Sequence, residues 1–236
     1  MFALIFLFIL VILISFFLAL YSMHDFEIKP SSKLEYGAFL IRNLKNLNPE
    51  SLTHLFSDLA KSNLLISFER LFKGHEGVLV VYGPKNILLN YQEQFNLLEL
   101  EDYTNINLNS VSIWEVGVRD ITGFRDKFPD LLPNEQIWFQ IILRANKKSS
   151  SITSSPRQAT LIPTRVRVVL TSQGEDRLKE LTREFQDNYQ SILPKVPKPY
   201  SKSQVFEFYK KRSFIKEGGH DINLKIEDIL NLWFFL

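Results

Sequence analysis

The chain has 236 residues and nearly balanced charge, with 28 Lys and Arg against 26 Asp and Glu and a formal net charge of +2. It has no cysteine, which excludes disulfides, thiolate zinc sites, iron–sulfur clusters and cysteine nucleophiles. A net charge near zero gives no global field that favours nucleic acid, and the small number of glycines, 9, argues against Gly-rich phosphate loops.

Residues 1–22 form an apolar run without a charged side chain. An α-helix needs about 20 such residues to cross the hydrocarbon core of a bilayer, so the sequence predicts a transmembrane helix here. A cleaved signal peptide fits less well, because no Lys or Arg precedes the core and Ala19-Leu20-Tyr21 is a poor cleavage site. The positive-inside rule then predicts a single-pass protein of the cell (inner) membrane with a cytoplasmic body. The basic residues that set this orientation are Lys29, Lys33, Arg42 and Lys45.

Residues 25–105 are predicted to form a first α/β unit. Alternating apolar residues indicate strands, apolar residues three and four apart indicate helices, and Gly and Pro mark the turns between them. The order of the elements is typical of half of a ferredoxin-like sandwich. The elements are a strand at 26–29, a helix at 36–44, a helix capped by Asn48 with Pro49 in its first turn, strands at 64–71 and 78–82, a helix after Gly83-Pro84, and a strand at 97–100.

A second α/β unit is predicted at residues 110–193, and a basic, aromatic helical tail at 194–236. The expected fold class is therefore α+β, with an N-terminal transmembrane helix, two ferredoxin-like α/β sandwich units and a short helical C-terminal tail. The predicted elements are strands at 112–118, 136–143 and 165–170, a Ser-rich loop at 146–159, a helix with Leu178, Leu181 and Phe185 on one face, and tail helices at 203–211 and 225–233.

The sequence contains no pattern of residues typical of a catalytic, cofactor-binding or metal site. The spacing of the four histidines (His24, His54, His75 and His220) does not match a metal site, and neither a Walker A pattern nor a G-x-S-x-G elbow occurs. Glu99, Glu101 and Asp102 follow a predicted strand, and we interpret them as a solvated strand end, with a metal-binding loop as the alternative. The sequence thus predicts a protein that is not an enzyme and holds neither cofactor nor metal.

Basic and aromatic side chains are interleaved in the stretch 195–216. Such a mixture is suited to contact with nucleic acid or with anionic lipid, and the alternative is a solvated face over buried aromatics. The sequence leaves DNA binding open, because the overall charge is near neutral. The candidate contacts are Lys195, Lys198, Lys202, Lys210, Lys211, Arg212 and Lys216.

The chain ends on a strongly apolar run. A run of this kind is expected to dock on the body of the protein or on a partner. The candidate docking residues are Leu232, Trp233, Phe234 and Phe235.

Three segments resemble motifs of one protein family. Residues 95–103 (FNLLELEDY) are similar to the ending of its α/β module, residues 131–144 (LLPNEQIWFQIILR) to one of its strands, and Phe214 with residues 226–235 to its C-terminal pattern. Together they resemble the uncharacterised, membrane-anchored N-terminal region of bacterial proteins related to type IV secretion and to HerA/FtsK-like DNA-pumping ATPases. The His-Pro that closes the family pattern is Phe234-Phe235 here, and the motor residues have no counterpart. The resemblance therefore implies a stand-alone or split module beside a separately encoded ATPase.

The resulting functional hypothesis is a non-enzymatic, single-pass membrane-anchored scaffold or docking module of a secretion or DNA-translocation assembly, without its own motor. Its expected partners are the bilayer through residues 1–22, a separately encoded ATPase, and another copy of the chain that pairs at an open sheet edge. The alternative is an envelope scaffold of the pilus-assembly type, with the body outside the cytoplasm. A membrane-tethered hydrolase would need convergent acids and bases, and no spacing in the sequence indicates them.

Overall fold

A computed structural model describes residues 10–15, 34–101, 103–104, 111–116, 130–145, 161–189, 202–214 and 222–235. Side chains are described at these positions except 116, 188–189, 202 and 233–235. The chain divides into a unit of residues 1–33 and a unit of residues 34–236. The second unit contains the sheet on which the fold is built.

The described N-terminal residues correct the prediction of a membrane anchor. Residues 10–15 are helical (α1), and among the residues described no helix has the length and apolar character needed to cross a membrane. A crossing helix needs a continuous helical conformation over about 20 residues, which apolar composition alone does not supply. On this finding the predicted transmembrane helix over 1–22 is wrong, and so is the single-pass inner-membrane localisation that depends on it.

One eight-stranded antiparallel sheet organises the second unit. Its strands are β1 (Tyr36–Ile41), β2 (Leu65–Lys73), β3 (Glu76–Pro84), β4 (Leu97–Leu100), β5 (Val111–Val116), β6 (Gln136–Arg144), β7 (Ile162–Thr171) and β8 (Ile222–Leu224). They are ordered β4-β1-β3-β2-β6-β7-β5, and β8 pairs with β7. The helices are α2 (Pro49–Lys61), α3 (Lys85–Leu88), α4 (Gln92–Phe95), α5 (Glu175–Tyr189), α6 (Lys202–Lys210) and α7 (Ile226–Phe235). The architecture is an α+β fold.

The predicted division into two ferredoxin-like sandwiches is wrong, because β2 and β6 form one continuous ladder. They pair from Leu65 opposite Arg144 to Lys73 opposite Gln136, which joins the two predicted units in a single sheet. Alternating apolar residues identify a strand but carry no information about its neighbour. The predicted boundaries at 105–110 and 193–194 lie outside the described residues.

The predicted helix at 36–44 is also wrong, since these residues begin with β1. This strand lies between β3 and β4 and pairs with both. Phe39 and Ile41 point from it into the core. A Cβ atom at Gly37 would lie only 2.8 Å from Lys85 Cε, so the strand approaches this side chain closely. The short apolar segment is compatible with either conformation, and pairing with two neighbours selects the strand.

Most of the other predicted elements are confirmed where the structure describes them. Strands β2 to β7 overlap the predicted strands, and α5, α6 and α7 begin within a few residues of the expected starts. The single helix predicted after Gly83-Pro84 is instead two short helices, α3 and α4, separated by a 3₁₀ turn at Leu89–Tyr91. Helix α2 has the predicted cap: the Asn48 side chain accepts a hydrogen bond from the Ser51 N–H at 2.8 Å, with Pro49 in the first turn. The predicted strand at 26–29 and the loop at 146–159 lie outside the described residues.

The two faces of the sheet differ in composition. The first face is apolar and packs in one core cluster with residues of α2, α5 and α7, among them Phe56, Phe185 and Ile229. The second face is covered by α6, whose Phe206 and Tyr209 pack on Trp138 and neighbouring residues. This second face also carries buried charged side chains, which are the most unusual feature of the molecule.

A buried carboxylate fastens the loop before β6 to α5. Glu135 is 2% exposed. Its Oε2 accepts from the Leu132 N–H at 2.9 Å, and its Oε1 accepts from Arg177 Nε at 2.9 Å and from the Ser172 hydroxyl at 3.2 Å. Burial by itself raises the pKa of the Glu135 carboxyl, but these donors outweigh it and hold the pKa below its ordinary value. The ionised carboxylate of Glu135 therefore holds α5 in position.

Glu135→Gln is expected to flatten the acid side of the stability profile. A carboxyl group whose pKa is lower in the folded state stabilises that state. The full contribution is present at pH values above the pKa that the group has in the unfolded chain, about 4.3 for Glu. That contribution is lost as the pH falls through the folded pKa. Urea unfolding of the wild type, of Glu135→Gln and of the exposed control Glu50→Gln across acid pH measures the difference. Parallel loss of stability in the wild type and Glu135→Gln would contradict the assignment.

Candidate functional site

Four polar side chains form a row across the second face of the sheet, called here the polar row. Glu69 on β2 lies opposite Gln140 on β6, Gln140 opposite Arg167 on β7, and Arg167 opposite Glu115 on β5. Hydrogen bonds link them in sequence: Gln140 Nε2 to Glu69 Oε1 at 3.0 Å, Arg167 Nη1 to Gln140 Oε1 at 3.3 Å, and Arg167 Nε to Glu115 Oε2 at 3.2 Å. The row therefore connects four strands through side chains as well as through the backbone.

Three of the four members of the polar row are unusual because they are charged or polar and inaccessible. Glu69, Gln140 and Arg167 are all 0% exposed. They occupy positions that alternate with the first-face core residues Phe68, Ile141 and Val168. A buried charge is tolerated only when it is paired and hydrogen-bonded. The partners of these groups therefore determine whether the row is a reactive site or part of the framework.

Glu69 is surrounded by donors on every side. Ser67 Oγ donates to its Oε1 at 2.8 Å, and Arg212 Nε donates to the same oxygen at 3.1 Å. The Tyr103 hydroxyl donates to Oε2 and lies 3.3 Å from the Tyr209 hydroxyl. With Gln140 included, both carboxylate oxygens accept hydrogen bonds from protein groups. The Glu69 carboxylate thus joins residues that are far apart in the sequence.

Glu115 has the same role at the other end of the row. Its Oε1 accepts from Arg165 Nη1 at 2.5 Å, while its Oε2 accepts from Arg167. Arg165 is 1% exposed and lies on the same strand as Arg167, two positions earlier. One carboxylate on β5 therefore bridges two buried guanidinium groups on β7.

The C-terminal end of α6 sits on the polar row with its carbonyl oxygens facing arginine and amide donors. Arg167 donates to the Phe208 carbonyl at 3.0 Å and to the Ser213 carbonyl at 2.6 Å, and Gln140 Nε2 donates to the Tyr209 carbonyl at 3.0 Å. The last carbonyls of a helix have no partner within the helix and carry a partial negative charge. The buried arginine supplies both the hydrogen bonds and the positive charge that this helix end needs.

Arg212 ends α6 in a left-handed conformation. Its φ is +49°, and the backbone forms a Schellman motif in which the Ser213 N–H donates to the Phe208 carbonyl and the Arg212 N–H to the Tyr209 carbonyl. Glycine is usual at this position, because a side chain there costs about 1 kcal/mol. Here the side chain turns inward, pairs with Glu69 and stacks over the Tyr82 ring at 4.2 Å. The ion pair holds the strained backbone in place.

The polar row and its cap are arranged as a framework that locks α6 to the sheet. Its carboxylate oxygens accept from arginine, tyrosine, serine and glutamine groups of the chain itself, and its guanidinium groups donate to protein carbonyls and carboxylates. Within the described residues no group of three His, Asp or Glu side chains is placed to hold a metal ion. These contacts give the row a structural role in joining α6 to the sheet.

A cleft of about 470 Å³ lies beside the edge of the sheet, between β5 and α5, and is called here the β5–α5 groove. Its lining includes the buried residues Val111 and Leu178, and Glu175, Lys179 and Arg183 of α5 are exposed along it. Strand β5 pairs with β7, and among the strands that the structure describes none pairs with its other edge. The residues that line the groove are Val111, Ser112, Glu175, Leu178, Lys179, Thr182, Arg183 and Gln186.

The structure separates the predicted basic contacts into different environments. Arg212 is 3% exposed and belongs to the buried framework, which argues against direct contact with nucleic acid or lipid. Lys211 is exposed, and Lys210 is half-buried, with Nζ 4.7 Å from the Phe206 ring centre and 3.7 Å from Glu207 Oε1. Lys195, Lys198 and Lys216 lie outside the described residues, as does the side chain of Lys202.

The predicted docking residues at the C-terminus are described only in part. Leu232 is 0% exposed and packs in the core cluster of the first face. The side chains of Trp233, Phe234 and Phe235 lie outside the described residues. The part that is described docks on the chain's own body, one of the two outcomes expected from the sequence.

The predicted acidic cluster is resolved in part. Glu99 Oε1 lies 2.6 Å from Lys85 Nζ, which also lies 2.6 Å from Glu35 Oε1. Glu101 is exposed, and Asp102 lies outside the described residues. Glu99 therefore forms an exposed ion pair, in agreement with the interpretation as a solvated strand end.

Sequence reasoning missed Glu69, Glu115, Gln140, Arg165 and Arg167. A signal for them was present, since each interrupts an otherwise apolar strand at a position in phase with the second face. Charged residues in phase with a face that must be covered predict either an edge or a paired buried network. Whether such residues form an edge or a buried network depends on the packing of α6, and the residue patterns of the strands contain no information about that helix.

Comparison with protein-family models gives no match for this chain, and comparison with curated proteins gives none either.

Proposed function

We propose that the chain is a non-enzymatic docking module that binds a protein partner in the β5–α5 groove. The observation that carries the proposal is the edge of β5, which pairs with β7 on one side and with none of the described strands on the other, and whose first residues, Val111 and Ser112, line the groove. A strand edge with free backbone donors and acceptors is a template for an added strand. The groove beside it supplies polar and charged side chains for contact with the side chains of that strand.

The distribution of polar groups supports binding over catalysis. The acids and arginines that the fold brings together on the second face are bonded to each other and to the end of α6. The charged residues of the groove lie on one helix stripe of α5 and are exposed. A buried framework that holds the sheet rigid, next to an open strand edge, suits a surface that presents a fixed shape to a partner.

The assembly proposed is of the secretion or DNA-translocation kind, with a separately encoded ATPase as a candidate partner. Support for this setting comes from the motif resemblance in residues 95–103, 131–144 and 226–235.

Site-specific photo-crosslinking in cells tests the docking function. A photoreactive phenylalanine analogue in place of Ser112, in the groove, is expected to give a discrete protein adduct. The matched control is Leu98, an exposed position on β4 at the other end of the sheet order. Thr182→Trp, which fills the groove from α5, should remove the Ser112 adduct. No adduct at Ser112, or the same adducts at both positions, would contradict the proposal.

A further inference from the structure

We propose that the β5–α5 groove binds a second copy of this chain, with the two β5 strands paired antiparallel across a two-fold axis. The inference rests on the proposed docking function and names the partner of the same surface. Such an interface is isologous, so the same patch must complement itself when rotated by 180°. The direction of α5 along β5 and the order of its charges meet this requirement.

Helix α5 runs along β5 in the same direction. Strand β5 is antiparallel to β7, with Val111 opposite Thr171, and α5 turns back from the end of β7, so it starts near the start of β5. Further along both elements, the Trp114 ring stacks on Phe185 with centroids 5.8 Å apart and ring planes 2° from parallel. A two-fold axis that pairs the β5 strands antiparallel therefore also places the two α5 helices antiparallel, on the same face of the joined sheet.

The stripe that α5 presents to the groove has an acidic end and a basic end. Glu175 lies in the first turn, and Arg183 follows eight residues later, about 12 Å along the helix axis. A two-fold axis beside Ser112, which lines the groove together with Lys179, exchanges these ends, so Glu175 of each copy faces the partner's Arg183. Lys179, at the middle of the stripe, is already paired with Asp176 at 3.1 Å, which reduces repulsion between the two copies.

The charge order favours this occupant over a strand from a peptide of uniform charge. An acidic segment would be attracted by Arg183 and repelled by Glu175. A basic segment would be repelled by Arg183 and attracted by Glu175. A second copy satisfies both ends at once. Opposite charges across an interface fix register and exclude mismatched partners.

A charge-swap experiment on the full chain tests the proposal by sedimentation velocity over a wide range of protein concentration. The wild type is expected to dimerise. Glu175→Arg and Arg183→Glu should each weaken the dimer by roughly tenfold or more, because each places like charges in contact. The double variant Glu175→Arg/Arg183→Glu should restore the wild-type association. Glu227→Arg is the matched control, an exposed acid in the first turn of α7, and should associate as the wild type does.

Two results would overturn the second copy as partner. One is a wild type that stays monomeric at every concentration, and the other is a double variant that associates as weakly as the single variants. Thermal unfolding of each variant shows whether a loss of association follows from a loss of fold, and restoration in the double variant cannot arise from misfolding. A monomeric chain that still gives the Ser112 adduct with a different protein would overturn this inference while the docking function stands.

Discussion

Replacing Arg167 by methionine is expected to lower the free energy of unfolding by about 3–5 kcal/mol, the range for removing one partner of a buried ion pair. The substitution leaves Glu115 with one of its two guanidinium partners. It also removes the Arg167 donor from the buried Ser213 carbonyl and one of the donors of the Phe208 carbonyl, which keeps its bond from the Ser213 N–H. The methylene stem of methionine preserves much of the volume, so the loss reports the charge and its hydrogen bonds.

The position of the loss is as informative as its size. Hydrogen exchange should show that the amides of α6 lose protection before those of β6 and β7, because Arg167 joins the helix end to the sheet. Arg42→Met is the control, since Arg42 is exposed and its replacement should change stability by no more than about 0.5 kcal/mol. An Arg167→Met variant as stable as the Arg42→Met control would remove the basis for a structural role of the polar row.

The Glu69–Arg212 pair is expected to show strong coupling in a double-mutant cycle. Each of Glu69→Met and Arg212→Met leaves a buried charge without its partner, for an expected loss of about 3–5 kcal/mol. The double variant should lose less than the sum of the two, by about 0.5–3 kcal/mol, as residues in direct contact do. Chemical denaturation of the four proteins gives the coupling, and additive losses would mean that the 3.1 Å contact has no energetic role.

A second comparison at the same residue separates the backbone from the side chain. Arg212→Ala and Arg212→Gly both remove the guanidinium group, but only glycine adopts φ +49° without strain. The glycine variant is therefore expected to be more stable than the alanine variant by about 1 kcal/mol. Equal stabilities would show that the left-handed conformation at this position is not a source of strain.

The framework changes how the basic stretch should be tested. Substituting Lys210, Lys211 and Arg212 together would break the Glu69 pair and confuse lost binding with lost folding. Lys211 is exposed and can be changed alone, with no framework contact in the described structure. A contact with DNA or anionic lipid through this stretch stays a prediction, and it no longer has Arg212 as a member.

Local elements were predictable because their signals are local. The cap at Asn48, the turn before β3 and the apolar run of β6 each depend on residues close in sequence, and the structure has them where expected. The helix predicted at 36–44 shows the limit. Its apolar residues fit either conformation, and only the partners on β3 and β4, far along the chain, make it a strand.

The arrangement of the elements was less predictable, because it is set by contacts between distant residues. Pairing of β2 with β6 merges two expected units into one sheet, and the sequence of neither strand identifies the other as its partner. The apolar run at 1–22 illustrates the same point for a membrane anchor, since composition permits a crossing helix without requiring one. Arg212 is predicted from the sequence as a surface contact for DNA or lipid, because its actual partner, Glu69, lies 143 residues away along the chain.

The groove could not be predicted, because it exists only where α5 lies beside the edge of β5. Its charged residues are ordinary for an exposed helix face when read in sequence, and Ser112 carries no signal at all. The charges become informative only once the direction of α5 relative to β5 is known. The polar row, in contrast, had a signal in the charged residues that interrupt apolar strands.

Hydrogen exchange of the β5 amides in the full chain, measured at low and at high protein concentration, tests the central claim most directly. If β5 pairs with a second copy, protection of residues 111–116 should rise with concentration, while protection of β4, at the other end of the sheet order, stays unchanged. The charge-swap single variants should lose this rise, and the double variant should regain it. Protection of β5 that does not depend on concentration would contradict the second copy as partner, and the further absence of a Ser112 adduct in cells would contradict docking at the β5–α5 groove altogether.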